Sequence, residues 1–119
     1  MAVIDETVPE QQVWTEVCKI DDLQPEMGIC AKVDNRQVAL FWLPDEDQSL
    51  YALDNFDPFS GANVISRGIV GDVQGELVVA SPVYKQHFSL KSGRCIEDDQ
   101  MTLPTYSVRI VDDRVQVAA

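Results

Sequence analysis

The sequence predicts an all-β domain, an antiparallel sandwich or barrel. Three observations carry this. Apolar and polar residues alternate over short stretches from residue 13 onward, turn residues interrupt those stretches at close spacing, and no segment has the period of an amphipathic helix of any length. At 119 residues, 45% of them hydrophobic, the chain suits one domain with a single core and is too short for two ordinary ones.

Residues 1–12 (MAVIDETVPEQQ) are polar and acidic and read as a flexible tail, which leaves 13–119 as the domain. VWTEVCKI has strand composition, and DDLQPEMG, with Pro25 and Gly28, reads as a turn or short irregular connection. In ICAKV, Ile29, Ala31 and Val33 alternate with Cys30 and Lys32, the period of a half-buried strand. DNR makes a tight turn. QVALFWL is apolar on both faces, as an interior strand must be, and LYALDN returns after the acidic loop PDEDQS. The expectation is a three-stranded antiparallel meander.

FDPFSGANVISRG breaks the alternation, and only Asn63 to Ser66 has room for about one helical turn. GIVGDVQGELVVAS then predicts two short strands around Gly71 and Gly75. HFSL predicts another, and KSGR a turn with Gly93 in its tight position. IEDDQMTLPT reads as a loop. YSVRIVDDRVQV is a hairpin around Asp112-Asp113, with Val108 and Ile110 facing one way and Val115 and Val117 on the return strand.

A formal charge of −11 repels phosphate backbones and anionic lipid, so nucleic-acid and membrane-surface binding are disfavoured. No apolar run reaches the length of a membrane span, and the first residues lack the basic-then-apolar pattern of a secretory signal. The expectation is a soluble cytoplasmic protein. Cys18, Cys30 and Cys95 form no CxxC pair and are odd in number, which fits free thiols in a reducing compartment. Zinc would need all three to converge with His87, the single histidine, without the closely spaced ligand pairs of structural sites.

Catalytic groups are scarce. Nucleophilic catalysis needs a nucleophile, a base and an orienting group, and His87 sits in a predicted strand beside Phe88. There is no G-x-S-x-G elbow and no Gly-rich loop leading into a helix. The carboxylate runs Asp45-Glu46-Asp47, Glu97-Asp98-Asp99 and Asp112-Asp113 lack the alternating ligands and central Gly of a calcium loop, and read as solvated turns.

Two irregular loops with their strands, YALDNFDPFSGANVISRG and ELVVASPVYKQHFSLKSGRC, resemble the ligand-bearing half of a Rieske-like iron–sulfur protein domain. In that family one strand leads to Cys-x-His and a second to Cys-Pro-x-His. Pro58, Pro82, Phe88 and Gly93 fit the pattern, whereas Asp57, Phe59, Ser81 and Tyr84 stand at the four ligand positions. A Rieske [2Fe–2S] pair takes two thiolates on one iron and two imidazoles on the other, so the resemblance implies the fold, with a small inserted ligand-loop subdomain, and no cluster. It also suggests that Phe59 and Tyr84 close the space a cluster would fill.

A closer resemblance spans Trp14 to Val117. The segments WTEVCKIDDLQPEMGICA, NFDPFSGANVISRGIVGDVQGELVVASPVYKQHFSL and CIEDDQ are similar to the small subunit of the bacterial NADH-dependent nitrite reductase, in the branch that has lost the iron ligands. Ser66-Arg67-Gly68 is among the most specific of these matches. The resemblance implies a subunit of an enzyme that reduces nitrite to ammonium. FAD, a [4Fe–4S] cluster, sirohaem and the NADH site are expected on the partner large subunit. This chain would bind no metal or cofactor, carry no catalytic residue, and dock on or stabilise that partner. The candidate docking surface is the emptied tip: Asp57, Pro58, Phe59, Pro82, Val83, Tyr84, Lys85 and His87. The rival reading is a stand-alone, cluster-less Rieske-like interaction or regulatory module.

Overall fold

The computed structural model describes residues 13–118, so the tail expected over 1–12 and the final Ala119 lie outside them. The expected meander is formed by β2 (Gly28–Val33), β3 (Arg36–Trp42) and β4 (Leu50–Asp54), each antiparallel to the next. With β1 (Trp14–Lys19), β10 (Thr105–Val111) and β11 (Arg114–Ala118) they make a six-stranded sheet in the order β1-β11-β10-β4-β3-β2. The sheet curls until its outer strands β1 and β2 approach one another, a nearly closed barrel. The β10–β11 hairpin turns at Asp112 and Asp113, both at positive φ (51° and 65°), the conformation a tight two-residue hairpin needs and one that Asp tolerates. Val108 and Ile110 lie opposite Val117 and Val115; Val115 and Val117 are buried, while Ile110 at the hairpin end is exposed.

Because β4 pairs with β10, everything between them is an insertion into the barrel. It holds a two-residue ladder of β5 (Phe56–Asp57) and β6 (Ala62–Asn63), and a three-stranded sheet of β7 (Ile69–Val73), β8 (Glu76–Ala80) and β9 (His87–Ser89). The β5–β6 ladder lies in the segment the sequence marks only as a break. Two residues per strand are too few to produce an alternation pattern. The helical turn expected here is a 3-10 turn over Ile65–Arg67, beginning later than expected because Asn55 captures the chain there: its C=O accepts the Ile65 N–H and its Oδ1 the Ser66 N–H at 2.7 Å. A second 3-10 turn, Ile20–Asp22, ends the first strand one residue early, held by the Lys19 N–H donating to Asp22 Oδ2 at 3.0 Å.

β3 shows why its sequence is apolar on both faces. Val38 and Leu40 point into the barrel with Val33, Ala52, Val115 and Val117. Ala39 and Phe41 point out, onto Ile65, Val79, Phe88 and Leu90 of the insertion. Residues 38–41 are all fully buried, and each large one contributes about 1.5–3 kcal/mol of burial. One strand thus serves two cores, and the outer one carries the insertion whose far end forms the tip.

Candidate functional site

The tip is made of two loops. The first leaves β5 at Asp57, whose carboxylate folds back to cap the turn after it: Oδ1 accepts the N–H of Phe59 at 2.9 Å and of Ser60 at 3.4 Å. Asp57 C=O accepts the Gly61 N–H at 2.8 Å and closes the turn. The second loop leaves β8 at Ser81. The Ser81 N–H donates to Gln86 C=O at 2.9 Å, and Ser81 C=O accepts the Lys85 N–H at 3.1 Å, with Lys85 at φ 70°.

The loops are tied to each other by one bond. Ser81 Oγ donates to Asp57 Oδ2 at 2.5 Å, the short distance of a hydroxyl on an ionised carboxylate. Both residues have no solvent exposure. Burial pushes the Asp57 carboxyl up, but the bonds from the Ser81 hydroxyl and from Phe59 and Ser60 outweigh it and hold it below the ordinary carboxylate range. Asp57 and Ser81, the residues expected at the thiolate positions, therefore meet as a buried, satisfied polar pair.

Phe59 and Tyr84, the residues expected at the imidazole positions, part company. Phe59 turns inward, its ring tilted over Phe88 at 6.1 Å between centroids and packed on the outer core. Tyr84 turns outward and is 61% exposed. The expectation that both aromatics close the vacated space is thus corrected for Tyr84: the turn over 81–86 points its side chain away from the core.

The expected docking surface is likewise divided. Pro82, Val83, Tyr84 and Lys85 are exposed together on the second loop. Asp57 is buried and belongs to the interior, and Pro58 and Phe59 are half-buried. His87 is half-buried and held by Glu97, which accepts the His87 N–H at 2.8 Å and lies 2.6 Å from its Nδ1. Burial raises the Glu97 carboxyl, but the bonds and charge from His87 more than offset this and leave it lowered. Glu97 is exposed, as read from the sequence, and in addition it anchors His87. The signal was faint: Phe88 lies opposite Cys95, and that register carries Glu97 to the backbone of His87.

A profile of the Rieske-like [2Fe–2S] domain matches residues 13–118. The nitrite reductase (NADH) small subunit of Escherichia coli is 45% identical over 104 residues, which cover 87% of this chain and 95% of that one. The chain belongs to this small-subunit family of Rieske-like domains. A crystal structure described as a putative NADH-dependent nitrite reductase small subunit from Mycobacterium tuberculosis is 47% identical, with a TM-score of 0.85 over 91% of this chain and 96% of that one. A stretch of 104 residues in a nitrite reductase [NAD(P)H] large subunit from Klebsiella oxytoca is 39% identical to 87% of this chain and makes up 11% of that protein.

The donor set of this small-subunit domain does not fit a [2Fe–2S] cluster. Where the cluster would need soft thiolates, Asp57 and Ser81 offer oxygens already bonded to each other, Phe59 offers no lone pair, and Tyr84 points away. The three cysteines are free thiols, with Cys18 in β1, Cys30 in β2 and Cys95 buried in the outer core. Among the described residues no helix is long and apolar enough to cross a membrane.

Proposed function

We propose that this chain is the accessory small subunit of an NADH-dependent nitrite reductase and that it works by docking, without passing electrons. The observation that carries the reading is the buried Asp57–Ser81 bond, which occupies the two thiolate positions, in a chain that matches nearly the full length of the E. coli small subunit. The chemistry from nitrite to ammonium needs redox centres and a nucleotide site, and these are assigned to the large subunit as FAD, a [4Fe–4S] cluster, sirohaem and NADH. The chain is part of an enzyme and is not catalytic alone. The Klebsiella large subunit, which carries a similar stretch within its own chain, supports the pairing. Three free thiols and the need for NADH support a cytoplasmic setting.

The exposed second loop, Pro82-Val83-Tyr84-Lys85, is the docking surface we assign, with Tyr84 as an aromatic anchor beside a cation. Co-purification of the chain with the large subunit tests the pairing. Tyr84→Ala and Lys85→Glu are expected to weaken it with folding intact; unchanged association would refute the surface. A partnerless chain would make the stand-alone module the better account.

A further inference from the structure

Two segments that carry the sequence resemblance are left unexplained by the tip: Gln24–Gly28 and Ser66–Gly68. They meet at one end of a groove. The turn over 24–27 is fixed by the Glu26 N–H on Trp42 C=O at 2.8 Å and the Met27 N–H on Gln24 C=O at 3.2 Å, with Glu26 at φ 63°. That left-handed conformation is one a non-glycine residue adopts at a cost, and here it leaves Met27 59% exposed. Beneath the groove, backbone packs on backbone. A Cβ on Gly28 would lie 2.3 Å from Ser66 O, and one on Gly68 2.4 Å from Ala80 O. Ile69 follows and is 75% exposed. Two apolar side chains, Met27 on this turn and Ile69 at the start of β7, are therefore displayed on closely packed backbone.

Between them lies a hollow of about 510 Å³. It shares Glu26 and Val70 with a second hollow of about 310 Å³, walled by Leu43, Asp45 and Glu46 on one side and by Gly71 and Asp72 on the other. The groove thus runs along β7. This strand is the edge of its sheet, and among the described residues its backbone ladder is with β8 alone. An open edge offers unpaired N–H and C=O groups, and the usual guards are Lys, Pro or a projecting charge. β7 has no Lys or Pro, and Asp72 spends Oδ1 on the Gly75 N–H at 2.8 Å.

We propose that this groove takes an extended, Lys/Arg-bearing segment of the large subunit as an added strand on β7, with an apolar side chain seated between Met27 and Ile69. The proposal rests on the small-subunit reading above. Main-chain bonds along an edge supply affinity in this mode, and flanking pockets supply selectivity. Charge chooses the occupant. Among the described residues, Glu26, Asp45, Glu46 and Asp72 line the groove against one cation, Arg67. The chain's own residues 1–12 carry Asp5, Glu6 and Glu10 with no Lys or Arg, and a second copy brings its own charge of −11, so neither complements it. The groove begins at Ile69, opposite Ala80 and thus next to Ser81, so a partner seated on the tip can reach it.

The test is association of the full chain with the large reductase subunit, measured by calorimetry alongside amide hydrogen exchange in the complex. Ile69→Asp and the double variant Glu26→Lys with Glu46→Lys change exposed side chains. Each is expected to keep the wild-type melting midpoint and to weaken association about tenfold or more. The amides of residues 69–73 are expected to exchange more slowly in the wild-type complex than in the free chain. Wild-type affinity in both variants, or unchanged exchange at 69–73, would overturn the groove and leave the small-subunit reading standing. Failure of the wild-type chain to bind the large subunit at all would overturn both.

Discussion

The two tip loops begin alike, each with a short polar residue followed by proline, and then diverge. After Asp57-Pro58 the chain turns inward: Asp57 caps its own turn and Phe59 lies on Phe88. After Ser81-Pro82 the backbone closes on itself through Gln86 and Lys85, and Val83, Tyr84 and Lys85 face solvent. Ser81 of the second loop is fully buried, and its hydroxyl reaches Asp57. Of the four residues expected at ligand positions, Asp57, Phe59 and Ser81 are packed into the interior and Tyr84 is at the surface. The inward loop maintains shape; the outward loop is available for contact.

That division can be broken from the inside first. Ser81→Ala strands Asp57 Oδ2 as a buried, unpaired carboxylate oxygen. Denaturant unfolding is expected to show a loss of about 2–3 kcal/mol. Phe59→Ala removes a half-buried ring from the outer core and is expected to cost about 1–2 kcal/mol, less than a fully buried Phe because part of the ring already meets water. A loss under 0.5 kcal/mol in both variants would show that the loops are not what holds the tip.

Acid sharpens the same contrast. The Asp57 carboxyl is lowered in the folded chain, so its contribution is complete above the unfolded carboxylate value of about 3.9 and is lost as pH falls through the folded value. The stability gap between wild type and Ser81→Ala is therefore expected to shrink as pH falls, because protonation relieves the stranded Asp57 carboxylate in the variant before it costs the wild type its Ser81 bond. A gap that instead grows on acidification would mean that Asp57 is not the ionised partner. The smallest stability effect belongs to the outward loop. Tyr84→Ala is expected to shift unfolding by less than about 0.5 kcal/mol while weakening association, since its ring is largely in solvent.

Much of this was legible in the residues. Period-two alternation marked the barrel strands, and the two-sided apolar pattern of residues 38–41 marked an interior strand, though not that its two faces would serve two cores. What was not legible depends on contacts across the chain. Asp57 and Ser81 are 24 residues apart, and nothing local says that their side chains meet. The opposite senses of Phe59 and Tyr84 follow from two different turns, each set by backbone bonds that composition does not report. Glu97 looked like one carboxylate among three because its partner, His87, is brought to it only by the register of Phe88 with Cys95.

The central claim is that this tip is closed by side chains and binds its partner without a cluster. The most direct measurement is association of the chain, purified without added iron or sulfide, with the large nitrite reductase subunit, followed by absorption spectroscopy of the small subunit recovered from the complex. The account predicts a stoichiometric complex and a colourless small subunit. Association that appears only after iron–sulfide reconstitution, with visible [2Fe–2S] absorption in this chain, would contradict it.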